Sequence, residues 1–171
     1  MASAYTPIAT TNGTGSSTII SFTSIPQTYT DLILVCRSIS TAAGNNYDIG
    51  IRFNNDSSFS SYSRTFIYGT GSASGSSRSA QSTVNEMYID YYGGLGSSTY
   101  PGCQIVNIMN YSNTTTYKTT VTRSNNYYGG VDILVGLWAN TNAITRIDTV
   151  VDANSNLATT AMFTLYGIKA A

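Results

Sequence analysis

Apolar and polar residues alternate along several short stretches of this chain with the two-residue period of a β-strand. The clearest case is YDIGIRFN, residues 47–54, in which Tyr47, Ile49, Ile51 and Phe53 share one face. Polar residues and a glycine occupy the other face of this stretch. The pattern predicts a strand with one face on the core and one face in water.

Two other stretches are apolar on both faces, which is typical of strands covered on both sides. DLILVCRSI, residues 31–39, predicts a central strand. FTLYGIKAA, residues 163–171, has no wholly polar face although it ends the sequence. We therefore expect an interior closing strand, with Gly167 marking a bulge or a close approach near its end.

Similar stretches recur along the chain between turns rich in Gly, Asn and Ser, and none sustains helical periodicity. They predict about ten strands, over residues 18–23, 31–39, 47–54, 64–69, 84–92, 103–111, 116–124, 131–138, 143–151 and 161–168. This pattern predicts an all-β fold with little or no helix. We expect a two-sheet antiparallel β-sandwich, jelly-roll-like, of about 8–10 strands, and the main alternative is a closed barrel.

The 171 residues of the chain suit a single domain spanning residues 1–171. Residues 1–16 are rich in turn formers and are predicted to be an N-terminal arm that precedes the first strand. Residues 69–82 are rich in Gly and Ser and contain no apolar side chain larger than alanine. Such a segment cannot bury itself, so it is predicted to be a long mobile loop.

Charged residues make up only 9% of the chain, and eight basic residues balance eight acidic ones. The basic residues are scattered, which argues against a nucleic-acid partner. No apolar run is long enough to span a bilayer, and the N-terminus does not resemble a signal peptide. A weakly charged surface promotes association, so the composition favours a protein that works in an assembly. Asp132 and Asp148, single charges in apolar strands, are interpreted as edge- or turn-facing.

The chain contains no histidine, which removes the commonest general base and the commonest metal ligand. A Ser-His-Asp or Cys-His arrangement is therefore impossible. Cys36 and Cys103 lie in apolar runs and are predicted to be small buried hydrophobes, while a disulfide between them stays open. We predict no catalytic residue, no cofactor and no metal site.

Carboxylates are the remaining route to catalysis, because a glycosidase needs only two of them. Glu86 and Asp90 share one face of the predicted strand over residues 84–92 with Tyr88 and Tyr92. Glu86 would be the natural acid of such a site. The favoured interpretation is instead a solvated strand face.

Tyrosine is unusually frequent, with 14 Tyr against 5 Phe and 1 Trp. Its ring combines an apolar face with a polar tip, which suits protein interfaces and sugar stacking. Two pairs, Tyr91–Tyr92 and Tyr127–Tyr128, each stand beside two glycines. These four residues are the candidate surface contacts, although tyrosine also packs half-buried strand faces in a protein short of charge.

Several segments resemble one family of small virion structural proteins of tailed bacteriophages, notably those with marine and cyanobacterial hosts. The resemblance runs through most of the chain and is weakest in the Gly/Ser-rich segment and in YYGGLGSSTYPG. The segments that carry it are YTPIATT, FTSIPQTYTDLILV, IRFNND, YSRTFIYG, IVNIMNYSNTTTYKT, VGLWANTNAIT and FTLYGIKAA.

The resemblance implies a β-sandwich on the virion exterior, made in the host cytoplasm. It suggests a capsid decoration or head-fibre component without enzymatic activity, and it leaves head and tail locations open. The expected partners are further copies of the chain and other virion proteins such as the capsid shell. The alternative is a receptor- or carbohydrate-binding module of the tail-fibre type, with a host surface glycan as its partner.

Overall fold

The computed structural model describes residues 5–42, 47–80, 85–151 and 155–169, and these residues form strands, turns and irregular segments but no helix. The all-β prediction is therefore confirmed. The twelve strands in this part of the chain are β1 Tyr5–Asn12, β2 Ile19–Phe22, β3 Asp31–Ser38, β4 Ile49–Phe53, β5 Tyr62–Gly69, β6 Ser74–Ser79, β7 Met87–Tyr88, β8 Gly102–Ile108, β9 Lys118–Asn126, β10 Gly130–Trp138, β11 Ile147–Val151 and β12 Met162–Ile168.

The strands form two antiparallel sheets that pack around one core. The large sheet has eight strands in the order β1-β12-β3-β8-β9-β10-β5-β6, and the small sheet has four in the order β2-β11-β4-β7. Both sheets are open at their edges, so the fold is the predicted β-sandwich and not a closed barrel. Most connections cross from one sheet to the other, as they do in jelly-roll folds.

A hydrophobic cluster fills the space between the sheets and takes residues from both. Leu34 belongs to the large sheet, and Ile51 and Phe53 belong to the small one. The Trp138 ring packs on Phe53 with 5.4 Å between ring centroids. Its indole N–H donates to the Asp56 carboxylate at 2.8 Å, so the largest buried ring also has its polar atom satisfied.

The prediction of an N-terminal arm over residues 1–16 is wrong for Tyr5–Asn12, which form the edge strand β1 of the large sheet. The strand pairs with β12 and shifts register between Pro7 and Ala9. An edge strand needs backbone partners on one side only, and a proline and a bulge protect its free side. Ile8 packs against the core, but most of the other residues of this strand are Thr, Pro or Ala at exposed or half-buried positions. The segment therefore gives little apolar signal in the sequence. The first four residues lie outside the described part.

The predicted mobile loop over residues 69–82 is wrong in its centre, where Ser74–Ser79 form β6. This strand pairs with β5 along six residue pairs, after a turn in which the Thr70 N–H donates to the Ala73 carbonyl at 2.8 Å. Its side chains are almost all exposed. Backbone hydrogen bonds are its main attachment to the sheet, with one long side-chain bond from Arg64 to the Ser79 hydroxyl at 3.5 Å, so it needs no apolar residues. Residues 81 and 82 lie outside the described part.

The strand predicted over residues 84–92 is much shorter in the structure, where β7 contains only Met87 and Tyr88. The Ile89 N–H still donates to the Ile49 carbonyl, but the Ile49 N–H donates to the Asp90 carboxylate at 2.9 Å. A side chain thus replaces the next backbone partner, and the ladder ends there. Val84 lies outside the described residues.

The closing strand β12 lies inside the large sheet, between β1 and β3, as its apolar pattern predicts. Gly167 stands where a Cβ atom would collide with the Tyr29 ring. The predicted close approach at this glycine is therefore confirmed, while the register shift lies in β1, between Pro7 and Ala9.

Candidate functional site

The two tyrosine pairs chosen from the sequence lie in different environments. Tyr91 and Tyr92 are half-buried, whereas Tyr127 and Tyr128 are 76% and 56% exposed. Only the second pair occupies an exposed loop tip, the turn between β9 and β10. The structure does not bring the four residues together into one surface, so each pair belongs to its own ring cluster.

The first ring cluster packs against the inner side of β5. The Tyr91 ring lies 4.2 Å from Phe66 and 4.7 Å from Tyr92, and Tyr92 lies 4.8 Å from Tyr68, all between ring centroids. The Arg64 guanidinium lies over the Phe66 ring at 4.9 Å. A cation over aromatic faces is favourable in a partly buried site. The contacts of this ring cluster are therefore mainly packing contacts within the protein.

The segment over residues 91–96 has no strand structure, and a buried carboxylate holds its first turn. The Asp132 side chain accepts the backbone N–H groups of Tyr91, Tyr92 and Gly93 at 2.9, 2.9 and 2.6 Å. Hydrogen bonds to an ionised acceptor are among the strong ones in proteins. The edge interpretation of Asp132 is wrong, since β10 is an interior strand and the residue is buried, whereas its contact with this turn agrees with the turn-facing alternative.

Polar side chains of β8 and β9 hold the rest of this segment. Gln104 and Ser124 donate to the Gly93 carbonyl at 2.7 and 2.6 Å, and Asn126 donates to the Leu95 carbonyl at 2.9 Å. Leu95 and Gly96 also form single backbone bridges with Tyr47 and Ile39. Buried backbone groups that lack such a partner must find side-chain partners. This requirement accounts for Ser124 and Asn126 on the buried face of β9, which is polar throughout.

The second ring cluster is exposed and contains a tyrosine that the sequence interpretation missed. Tyr100, 38% exposed, stacks on Tyr127 with 4.8 Å between centroids and 14° between ring planes. Tyr128 packs edge-on against both rings, at 5.0 Å from Tyr100 and 5.2 Å from Tyr127. We call these three residues the tyrosine cluster.

Buried Asn126 joins the two loops that carry the tyrosine cluster. Its amide donates to the Leu95 carbonyl, and its carbonyl oxygen accepts the Tyr128 N–H at 3.0 Å. In the other loop the Tyr100 N–H donates to the Ser97 hydroxyl at 3.2 Å. The exposed rings thus lie on backbone that is held by the buried Asn126 amide and, at Tyr100, by the Ser97 hydroxyl near the surface.

The outer side of the large sheet exposes a second candidate surface. Ile67, Val131, Ile133 and Val135 are 55%, 58%, 48% and 51% exposed. Ile133 lies directly opposite Ile67 on β5, and Val135 lies opposite the half-buried Val121 on β9. We call these five residues the apolar face, because they form one continuous patch across three strands.

A shallow cavity of about 490 Å³ opens on the apolar face between Ile67, Val131 and Ile133. Arg123 borders it and lies opposite Ile133 on one side and Ile105 on the other. The surface thus offers apolar side chains in a groove with a cation beside it. It resembles the core of a protein interface more than an ordinary wet sheet face.

The outer side of the small sheet carries ion pairs, in contrast to the apolar face of the large sheet. The Arg52 guanidinium lies 2.9 Å from the Glu86 carboxylate, and Arg146 lies 2.9 Å from Asp148. The Ser21 hydroxyl also donates to Asp148 at 2.5 Å. Asp148 lies within β11, so the interpretation of this residue as edge- or turn-facing is wrong too.

The two carboxylates considered for a glycosidase have separate partners. Glu86 pairs with Arg52 and lines a cleft of about 550 Å³ together with Asp48. Asp90 is buried and accepts the Ile49 N–H. The shared strand face expected for Glu86 and Asp90 does not form, because the strand ends at Tyr88.

The two cysteines are free and lie on opposite sides of the large sheet. Cys36 pairs with Gln104 in the β3–β8 register, and Cys103 pairs with Arg37, so their side chains point away from each other. Cys36 is buried as predicted, and burial raises the pKa of its thiol, with a smaller contribution from Cys103. Cys103 is only half-buried. Among the described residues no group of three or more acidic or cysteine side chains is placed to hold a metal ion.

Comparisons with known proteins give no relative. No family model matches the chain, and neither a curated protein nor a solved structure matches it. Within the described residues no helix is long and apolar enough to cross a membrane.

Sequence reasoning missed Tyr100, Asn126 and the apolar face. A signal for the apolar face exists in VDILV, where Val131, Ile133 and Val135 share one strand face. The same stretch would also fit a strand whose two faces are both buried, because the sequence pattern does not show which face of a strand is covered by another part of the protein. Tyr100 and Asn126 give no such signal, since a long loop brings them together.

Proposed function

We propose that this chain is a non-enzymatic structural protein of a tailed-phage virion, a capsid decoration or head-fibre component that assembles through its apolar face. The observation that carries the assembly role is the row of half-exposed Ile and Val side chains on β5 and β10. Contiguous apolar patches of this kind are uncommon on freely diffusing monomers and are typical of interaction sites. The phage assignment and the exterior location rest on the family resemblance of the sequence.

The apolar face supplies a plausible driving force for assembly. Full burial of a Val or Ile side chain stabilises a complex by about 1.5–3 kcal/mol. The four exposed members of the face are each about half exposed, so together they offer about 4 kcal/mol before the costs of association. That amount supports a contact repeated many times on a symmetric particle, where several sites act together.

The first prediction concerns Ile133, in the middle of the apolar face. Ile133→Lys should abolish or strongly reduce binding to capsid shells of the encoding phage, because it places a charge in an apolar contact. The matched control is Ile19→Lys on the small sheet, where the isoleucine is 41% exposed against 48% for Ile133. Co-sedimentation with shells measures this binding, and light scattering after size exclusion measures self-association.

The control variant should bind shells as the unchanged chain does. The proposal fails if the unchanged chain is monomeric at micromolar concentration and also leaves shells unbound. Equal binding by the two lysine variants would show that the contact uses another surface.

A second candidate function is a receptor- or carbohydrate-binding module of the tail-fibre type. A separate observation favours it, the exposed tyrosine cluster at the β9–β10 turn. The two functions use different surfaces of the same sandwich.

A further inference from the structure

We propose that the tyrosine cluster, Tyr100, Tyr127 and Tyr128, is a binding site for a neutral saccharide, and that buried Asn126 is its positioning residue. The inference rests on the second candidate function and is independent of assembly through the apolar face. It is carried by the ring geometry, the absence of charge in the two loops and the small size of the patch.

Tyr127 presents an open ring face. Tyr100 stacks on one side of the ring at 4.8 Å, yet the residue remains 76% exposed, so the opposite side of the ring lies in solvent. The C–H faces of a pyranose ring pack well on such an aromatic surface. Since Tyr100 and Tyr128 already fix the Tyr127 ring, a ligand would find it in place and little side-chain entropy would be lost.

The loops around the cluster carry hydrogen-bonding groups without charge. Residues 95–101 and 126–130 contain Ser, Thr, Asn, Tyr, Gly, Leu and Pro but no Asp, Glu, Lys or Arg. A phosphate or a sugar acid would need a cation here. Hydroxyl and amide groups around an aromatic surface instead match the alternating C–H and O–H groups of a neutral sugar.

The extent of the patch distinguishes a saccharide from a protein partner. A tyrosine contributes at most about 150–250 Å² when fully buried, and the three rings here are exposed by 38%, 76% and 56%. The cluster therefore offers about 400 Å² at most, against about 800 Å² per partner in a stable protein interface. One to three sugar rings fit this area.

Asn126 keeps the two loops in register. Its amide donates to the Gly94 and Leu95 carbonyls at 3.2 and 2.9 Å, and its carbonyl accepts the Tyr128 N–H. An alanine at this position would remove both connections and loosen the fit between the two loops, while Gln104 and Ser124 still hold Gly93. The Asn126→Ala substitution should therefore lower the affinity for saccharide and at the same time increase the mobility of the tyrosine rings.

The test is a titration of the whole chain with neutral oligosaccharides built from glucose, galactose, mannose or N-acetylglucosamine, followed by NMR signals of the tyrosine rings. At least one class should shift the Tyr127 signals in the millimolar range or below. Tyr127→Ala should weaken this binding at least tenfold, and Tyr127→Trp should retain it. Tyr117→Ala, which removes a tyrosine 56% exposed elsewhere, should have no effect.

The Asn126→Ala variant should also weaken binding and sharpen the averaged ring signals of Tyr127 and Tyr128, while thermal melting checks that it folds. Failure of every saccharide class to bind the folded chain overturns the proposal, and so does unchanged binding by Tyr127→Ala. Loss of shell binding or self-association in Tyr127→Ala, with no saccharide bound, would identify the cluster as a protein contact. Because Ile133→Lys tests a different surface, the two proposals can fail separately.

Discussion

Asp90 is a buried carboxyl group with only part of its hydrogen-bonding capacity used. One oxygen accepts the Ile49 N–H at 2.9 Å, and the other has no hydrogen-bond partner. Burial raises the pKa of Asp90 well above 3.8, repulsion from Asp48 raises it further, and Arg64 opposes the shift. The folded state thus holds a proton on Asp90 at a pH where the unfolded chain has released it.

This difference predicts how stability depends on pH. Above about pH 3.8 and up to the folded-state pKa, the folded chain binds more protons at Asp90 than the unfolded chain, so stability falls as the pH rises. Asp90→Asn keeps an oxygen for the Ile49 N–H and cannot titrate. We expect urea unfolding between pH 4 and neutrality to show a flatter stability profile for this variant, with its largest gain at the upper end. If the unfolding free energies of the two proteins change with pH in parallel, the raised pKa of Asp90 in the folded state is refuted.

Residue roles were the hardest to predict, and Asp132 shows why. In the sequence it is a lone charge in an apolar strand, which suggests an edge- or turn-facing position without naming the turn. In the fold it accepts three backbone N–H groups from a segment about forty residues away in sequence. Local pattern contains no information about that partner. The same limit hid Asn126, whose role depends on two loops meeting in space.

At the scale of elements, the segment over residues 91–96 packs closely on β9 and depends on glycine for its path. A Cβ atom on Gly93 would lie 2.5 Å from the Ser124 hydroxyl and 2.7 Å from the Asn125 backbone nitrogen. Neither neighbour can retreat without breaking the bonds that hold the segment. Gly93 therefore serves close packing and not only a turn.

Gly93→Ala should accordingly destabilise the fold by about 2 kcal/mol or more, the usual range for forced overpacking. Gly69→Ala on β5 is the matched control, because its Cβ atom would meet Val131 at 3.9 Å, an ordinary contact. We expect the control to be neutral or slightly stabilising. Denaturant unfolding of both variants measures the difference, and equal midpoints would contradict the steric argument.

Strands with a clear apolar face were predictable, and edge strands with mostly exposed side chains were not. β3, β4 and β12 show clear apolar patterns because they border the core, whereas much of the apolar signal of β10 comes from its exposed face. β1 and β6 are edge strands with mostly exposed side chains, so their sequences resemble loops. For residues 84–92 the sequence instead predicted more strand than the structure contains. The alternating pattern continues to residue 92, but the Asp90 side chain bonds to the Ile49 N–H and ends the backbone pairing of β7 with β4.

The whole molecule has two outer faces of different character. Ion pairs and a hydroxyl network cover the small sheet, which satisfies its charges internally. The large sheet exposes the apolar face, with Arg78 and Arg123 beside it at outward strand positions, while the Arg37 guanidinium on β3 donates to the Thr160 carbonyl at 2.6 Å. Asp31 is an acidic residue on the same side of the sheet, at the start of β3, and its carboxylate accepts the Asn110 N–H. The apolar face itself has the basic residues Arg123 and Arg78 beside it, although the chain has no net charge.

That charge pattern predicts the kind of partner the apolar face meets. Two copies joined through this face would bring like charges together, so an acidic partner such as an anionic shell surface fits better. Arg123→Glu should weaken shell binding about tenfold, or about 1.4 kcal/mol, at low ionic strength and less at high ionic strength, since salt screens the contact. Lys169→Glu changes the net charge equally, beyond the end of β12, and should have little effect. If instead Arg123→Glu associates with the unchanged chain more strongly than either does alone, the partner is a second copy.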